Sequence, residues 1–310
     1  MLKRGNETVS KKKSRSLSVV LRQNSAAYIM MLPFMLIFFV FTVWPVLLSF
    51  LLSFTSFNVL EFPKPVFLDN YLKLFLNDDI FITALSNTFL FAVITGPVSL
   101  VLCILFAWIV NEMPKKFRAF VTLIFYAPSI AGSIYIIWLI IFDGDIYGFL
   151  NSFFLNLNII NEPIQWTKDP KYMMMVVIIV QLWVSLGTSF LTLRAGFSTI
   201  DRQYYEAGAV DGIKNRWQEF YHITFPLLSP HLMLSAVLAI TAAFGAEAVA
   251  TTMTGFPSTN YATHTIMHHM RDYGSIRYER GYASAMATLL FIASITINRL
   301  IQKWLRKKGG

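Results

Sequence analysis

Apolar residues run in six long blocks: Ala26–Ser53, Ala84–Val110, Ala119–Phe142, Met173–Leu193, Leu227–Ala248 and Gly281–Ile301. Blocks of about 20 residues or more can cross hydrocarbon as helices, where each backbone N–H finds a carbonyl within its own segment. The pattern predicts an all-α membrane protein with six transmembrane helices. One short block near the start would suggest a cleavable signal peptide, but blocks along the whole chain exclude that. Between blocks three and four, Phe149, Leu150, Phe153, Phe154 and Leu157 recur at helical spacing, which predicts a short helix lying in the membrane interface. Trp166 follows as an expected interfacial anchor or a partner contact, and Asp169-Pro170 starts the re-entry.

The polar stretch between blocks four and five has its own organisation. "STIDRQYYEAGAVDG" reads as a helix starting at Ser198 or Asp201 and stopped at Gly212, since glycine takes the left-handed conformation that ends helices. "NRWQEFYHITFP" reads as a second helix, with Asn215 as cap and Gln218 three residues on as the partner of a capping box. Pro226 starts the next span or sets its entry angle. Ala207, Gly208 and Ala209 give the unit low relief, and Trp217, Phe220, Tyr221 and Thr224 fall on one bulky face of the second helix. Glu206 and Asp211 add acceptors for cationic donors. Residues 198–226 thus read as a helix-turn-helix that inserts into a groove on another protein or rests on the headgroups.

Charge orients the layout. Only 14% of the 310 residues are charged, against about 25% in soluble domains, and 55% are hydrophobic. The net charge of +9 is a poor sign of nucleic-acid binding, because the basic residues gather at the ends and in particular loops. Eighteen of the 26 Lys/Arg fall in the two terminal tails and the second and fourth loops, seven in the other three loops, and Arg299 inside the last block. Cytoplasmic segments carry such an excess, so both termini and residues 198–226 are expected in the cytoplasm. Residues 1–25 form a basic cytoplasmic tail drawn to anionic lipid, and residues 26–308 form the transmembrane domain. The lone cysteine, Cys103, reads as a small buried apolar residue.

Chemistry is sparse. No GxxxxGK[ST] occurs, so the usual phosphate cradle is missing and the chain is not expected to hydrolyse ATP. His264, His268 and His269 invite a metal reading, but no HExxH and no nearby acid completes a set, which favours polar outer-loop histidines. An ion-coupled secondary transporter is the alternative, yet Glu247 is almost the only acid inside the blocks. That carboxylate is expected to face protein or a water-filled cavity, or to sit at the outer headgroup level.

The run Glu206-Ala207-Gly208, Asp211-Gly212, Phe220, Ile223, Pro226 and Pro230 resembles the "EAA" loop of ABC importer permeases. The resemblance extends to Leu32-Pro33, Pro45, Ser53-Phe54-Thr55, "LDNYLKLF", Asn87-Thr88, Pro128, Trp138, Phe142, Tyr147-Gly148, Asn151, Trp166, Asp169-Pro170, Trp183 and Gly281-Tyr282-Ala283, and is best with the carbohydrate-uptake branch, the maltose/glycerol-phosphate-type permeases. It implies a multi-pass inner- or plasma-membrane subunit, a heterodimer with a second permease, an ABC ATPase dimer that uses ATP and Mg, and an extracytoplasmic sugar-binding protein. It makes the loop a coupling helix seated in an ATPase cleft, with Glu206, Ala207, Gly208, Asp211, Gly212 and Phe220 as contacts. Gly208 stands where the family usually has Ala, Ile213 replaces a small residue, and Gly255-Phe256-Pro257 replaces a double-glycine-proline. A sugar path needs hydrogen-bonding groups at membrane depth. Gln181 and Ser185, four apart, and Thr241, Gly245 and Glu247 are the expected ones. For Gln181 and Ser185 an interhelical hydrogen bond is the favoured role. Gly96-Pro97 is expected to kink the second span.

Overall fold

The computed structural model describes residues 24–130, 134–245 and 247–308. The predicted basic tail lies almost wholly outside the described residues. The chain divides into two units, residues 1–51 and 52–310.

The described part of the first unit is nearly all of helix α1, Ser25–Leu52. It is apolar all round and has no buried residue, as suits a helix in an apolar solvent. A five-residue π turn occupies Phe39–Val43, where the Trp44 N–H reaches the Phe39 carbonyl. Pro45 follows at once. Its ring would press on the carbonyl four residues back in a regular helix, and the wider turn makes room.

In the second unit, strands β1 (Thr55–Ser56) and β2 (Lys64–Pro65) pair antiparallel, Thr55 opposite Pro65. Helices follow at Asp69–Leu76 (α2), Asp79–Glu112 (α3), Lys115–Ile130 (α4), Ile137–Ile141 (α5), Phe149–Asn156 (α6), Pro170–Thr199 (α7), Arg202–Val210 (α8), Arg216–Leu227 (α9), Ser229–Phe244 (α10), Glu247–Thr254 (α11), Ile266–Arg271 (α12) and Arg280–Lys308 (α13). α3 begins at Asp78, whose carboxylate accepts from the Phe81 N–H, and runs unbroken through Gly96-Pro97. α7 begins at Asp169, which accepts from the Lys171 N–H, with Pro170 in its first turn.

Among the described residues four helices are long and apolar enough to cross a membrane, or five if a pair bent by 78° counts as one span. The first, second, fourth and sixth predicted spans are these four helices. The third and fifth differ from expectation. Residues 115–130 end with Pro128 in their last turns, and a short 3₁₀ turn and α5 resume at Ile134. The fifth block divides at Gly245, beyond which α11 begins.

Three apolar clusters hold the second unit together. Phe91, Phe142, Trp166, Val176, Val180 and Met253 form one, toward the N-terminal end of α7. Cys103, Ala107, Phe190, Leu193, Leu228 and Leu232 form another, toward the C-terminal ends of α3 and α7. Leu74, Phe81, Ile266, Tyr273, Tyr282 and Met286 join α2, α12 and the start of α13. The predicted helix at 149–157 is present as α6, with Phe149 and Phe153 exposed and Leu150 and Phe154 turned to the core. Trp166 departs from its expected anchor role. It is 5% exposed, donates its indole N–H to Asn151 Oδ1 at 2.8 Å, and packs on Phe142, Phe154 and Tyr172. Asn151 in turn ties the loop by donating to the carbonyls of Asp143, Asp145 and Ile164.

Candidate functional site

The helical hairpin α8–α9 is built from local rules. Asp201 accepts from the Gln203 N–H and starts α8. At the other end Ile213 N–H bonds Gly208 O at 2.9 Å and Gly212 N–H bonds Ala209 O at 3.3 Å, the paired closure of a Schellman turn. That turn needs a left-handed residue, and Gly212 supplies it with φ +92°. Asn215 accepts from the Gln218 N–H at 2.8 Å, as the capping box predicts, but the Gln218 amide oxygen reaches one residue further back, to Lys214 N–H. α9 then widens into a π turn at Phe220–Thr224, ahead of Pro226. This repeats the device before Pro45. The chain bends by 78° between α9 and α10, so Leu228, two residues after Pro226, sets the entry angle.

The expected site residues separate into two groups. Glu206, Ala207, Asp211 and Gly212 are exposed. Gly208 is buried inside the hairpin, where a Cβ would lie 2.6 Å from Ile223 Cδ1 and 3.0 Å from Ile213 Cδ1. It is a packing residue, and the substitution of Ile for a small residue at 213 is one side of the same contact. Phe220 is turned inward against Trp108 and Phe225. The single bulky face expected on α9 is split: Trp217 and Tyr221 are exposed while Thr224 is buried and bonded to the Tyr205 hydroxyl at 2.9 Å. The π turn advances the helix by fewer degrees per residue, which moves side chains off the 3.6-residue stripe. Arg202 pairs with Glu206 at 3.2 Å on the open face. Both residues line a cavity of about 520 Å³ between the hairpin and the ends of α3 and α7.

The other polar concentration is buried. Asp78 Oδ2 accepts from Tyr282 O–H at 2.7 Å and lies 2.9 Å from His269 Nε2. Burial pushes the Asp78 carboxyl up, but the hydrogen bonds from His269, Tyr282 and Phe81 outweigh it and hold its pKa below the usual value. With the proton on Nε2, His269 Nδ1 accepts from His264 Nε2, 3.2 Å away. His268 Nδ1 accepts from Thr265 N–H, which leaves Nε2 to donate to Thr251 Oγ1 at 3.1 Å. Desolvation, reinforced by the neighbouring ring, lowers His264 to about 4, and desolvation with His264 and Arg271 lowers His268 to about 4. The three histidines are therefore buried and networked rather than polar loop residues. The acid that the sequence reading did not find is 191 residues away in the chain. Among the described residues no three His, Cys, Asp or Glu side chains could hold a metal.

Of the remaining expected residues, Gln181 is buried in α7, Ser185 Oγ donates to Leu182 O, and Thr241 and Gly245 are exposed, four apart on α10. Glu247 is no isolated carboxylate: Arg271 Nη1 pairs with it at 2.9 Å, and the guanidinium also lies over Phe256.

Residues 104–308 match a family described as "Binding-protein-dependent transport system inner membrane component". The chain belongs to this family. It is a multi-pass inner-membrane protein and a transmembrane permease subunit of an ABC transport system. It is 32% identical to the probable ABC transporter permease protein YesP of Bacillus subtilis (strain 168), over 93% of this chain and 92% of that one. It is 27% identical to the arabinooligosaccharides transport system permease protein AraP of the same organism, over 91% and 88%, and 28% identical to the lactose transport system permease protein LacF of Rhizobium radiobacter, over 64% and 65%. The fold is shared with a bacterial ABC transporter that imports the acidic polysaccharide alginate, at TM-score 0.76 and 20% identity over 94% of this chain and 99% of that one. The family residues gain physical reasons here. Asn87 donates to the carbonyls of Tyr261 and His264, and Thr88 accepts from Ile266 N–H. Gly281 lets the start of α13 pass against the Thr55 backbone, where a Cβ would collide with the carbonyl oxygen.

Proposed function

We propose that this permease subunit forms half of the translocation path of an ATP-driven carbohydrate importer. It crosses the membrane six times, with both termini and residues 198–226 in the cytoplasm. It pairs with a second permease subunit as a heterodimer. Its hairpin sits in a cleft of one of two ABC ATPases, which bind the ATP and Mg, and an extracytoplasmic binding protein delivers the sugar.

The observation that carries this reading is the hairpin. It is closed by a Schellman turn, capped at both starts, and presents Glu206, Ala207 and Asp211 outward while Gly208 and Thr224 lock it inside. A rigid, low-relief knob on the ends of two long helices transmits displacement, where a flexible tether would absorb it. The carbohydrate class is supported by relatives whose systems carry lactose and arabinooligosaccharides, and the binding-protein partner by a fold neighbour solved with its alginate-loaded periplasmic protein. Thr241, Gly245 and the Glu247–Arg271 pair, with Gln181 and Ser185 on α7, offer hydroxyl, amide and ionic groups toward the path.

Two measurements test the reading. A cysteine at 206 is expected to react with a membrane-impermeant maleimide in inside-out vesicles and not in intact cells. Uptake of a candidate saccharide is expected to stop on ATP depletion and to survive an ionophore. Outward labelling at 206, or uptake that follows the ion gradient, refutes it.

A further inference from the structure

We infer that the hairpin drives α3 directly, through a clasp made by Trp108 and Glu112 of α3 with Arg216, Trp217 and Phe220 of α9. This rests on the coupling role proposed above and adds a route to it. By connectivity the hairpin pulls only on α7 and α10, which it joins. α3 is remote in sequence, yet its last turn is bound to the hairpin by two independent kinds of contact.

The first is aromatic. The Trp108 ring lies 5.0 Å from Trp217 at an interplanar angle of 68° and 5.0 Å from Phe220 at 34°, so both sides of the first turn of α9 close on one indole. The second is ionic. Arg216 Nη2 pairs with Glu112 Oε2 at 3.1 Å while Nη1 holds Glu219 Oε2 at 2.8 Å. Trp108 and Glu112 are four apart, hence on one face of α3. Arg216 also places positive charge at the C-terminal end of α3, where the helix dipole favours it.

The clasp fits transmission better than stabilisation. Its ion pair is about half exposed, and exposed pairs contribute little to folding. What it fixes is the position of the hairpin against a helix that packs along its whole length, with Phe81 in one cluster, Phe91 in a second and Cys103, Ala107 and Val110 in a third. A push on α9 is therefore delivered to α3 itself, whose far end lies beside Asp78. Trp108 and Glu112 are positioning residues; neither is among the exposed hairpin residues proposed to meet the ATPase.

The test uses the assembled complex and needs no knowledge of the sugar. A cysteine replaces Ile82, exposed near the start of α3, and its maleimide labelling rate is read with and without magnesium ATP plus vanadate. In the parent the nucleotide is expected to change that rate. Glu112→Gln and Trp108→Ala are expected to shrink the change by about 2-fold to 30-fold, the range for residues that modulate coupling without touching either ligand. Trp108→Phe, which keeps a ring in the clasp, is expected to restore it. Melting temperature and ATPase content of the Glu112→Gln complex should match the parent. An undiminished change in both Glu112→Gln and Trp108→Ala overturns the proposal, and so does loss of the ATPase from the complex, which makes the clasp a docking element. A parent complex that hydrolyses no ATP refutes the coupling reading itself, and is seen without any clasp variant.

Discussion

The hairpin at 201–227 and the network around Asp78 both spend polar groups on holding helices, in opposite ways. In the hairpin most polar contacts are local, with partners two to five residues apart, and largely exposed; Tyr205–Thr224 and Arg216–Glu112 are longer-range. The caps at Asp201 and Asn215 and the turn at Gly212 close helix ends that would otherwise leave N–H or C=O groups open. In the Asp78 network the partners are buried and come from α3, α12 and α13, up to 204 residues apart. Exposed polar groups lose little when a partner goes, because water replaces it. Buried ones keep their full desolvation cost. The hairpin can thus be altered at its surface with its shape intact, while the network tolerates almost no loss.

The largest effect should come from Asp78→Ala. It strands the Tyr282 hydroxyl and the His269 ring in a water-poor site, and each buried donor left unpaired costs about 1–3 kcal/mol. Thermal melting of the purified complex should fall sharply, while Glu206→Gln, which removes an exposed pairing worth under about 1 kcal/mol, should leave it in place. If both variants melt alike, the contrast drawn here is wrong.

Next in size is Gly208→Leu. The added side chain meets Ile223 and Ile213 inside the hairpin, and overpacking of this kind costs about 1–3 kcal/mol. Hydrogen exchange should rise within residues 201–227 and stay unchanged at 263–276. Gly208→Ala meets only flexible isoleucine tips and should cost much less, in keeping with the alanine usual in the family. Transport should be lost with Leu and retained with Ala.

Acid should act on the network and spare the hairpin. His264 and His268 titrate at about 4 in the folded chain, below the ordinary imidazole value of 6.5. Between those values the unfolded chain binds protons that the folded one refuses, so stability is complete above about pH 6.5 and declines as pH falls toward 4. Asp78 and His269 face His264, and Arg271 opposes protonation of His268. Proteolysis within 259–276 should speed up over this window, and cleavage within 201–227 should not. A small, local effect is expected of Asn215→Ala, about 1 kcal/mol at a helix start, read as faster exchange at Arg216–Gln218 alone.

Much of this was legible in the residues. Four predicted spans coincide with long apolar helices because a 20-residue apolar block has few other fates in a bilayer. The starts at Asp169, Asp201 and Asn215 and the stop at Gly212 were legible because a cap is a contact with a residue two to five positions away. The same locality explains the failures. The third and fifth blocks look continuous in hydropathy, which carries no information about helix ends at Ile130 and Phe244. Trp166 looked like an anchor because its composition fits one; only the fold brings Asn151 to its indole. Gly208 looked like a docking surface, and the return of α9 made it an interior position.

The sequence by itself therefore determined the apolar helices, the helix ends and the hairpin, since each follows from the chemistry of neighbouring residues. Only the tertiary structure decided that Asp78 sits under His269 and Tyr282, that Trp108 meets Trp217 and Phe220, and that Glu247 is answered by Arg271. Those contacts join residues 24 to 204 positions apart. No local propensity encodes such pairs: they form where the packing of the three apolar clusters brings helices remote in the chain side by side.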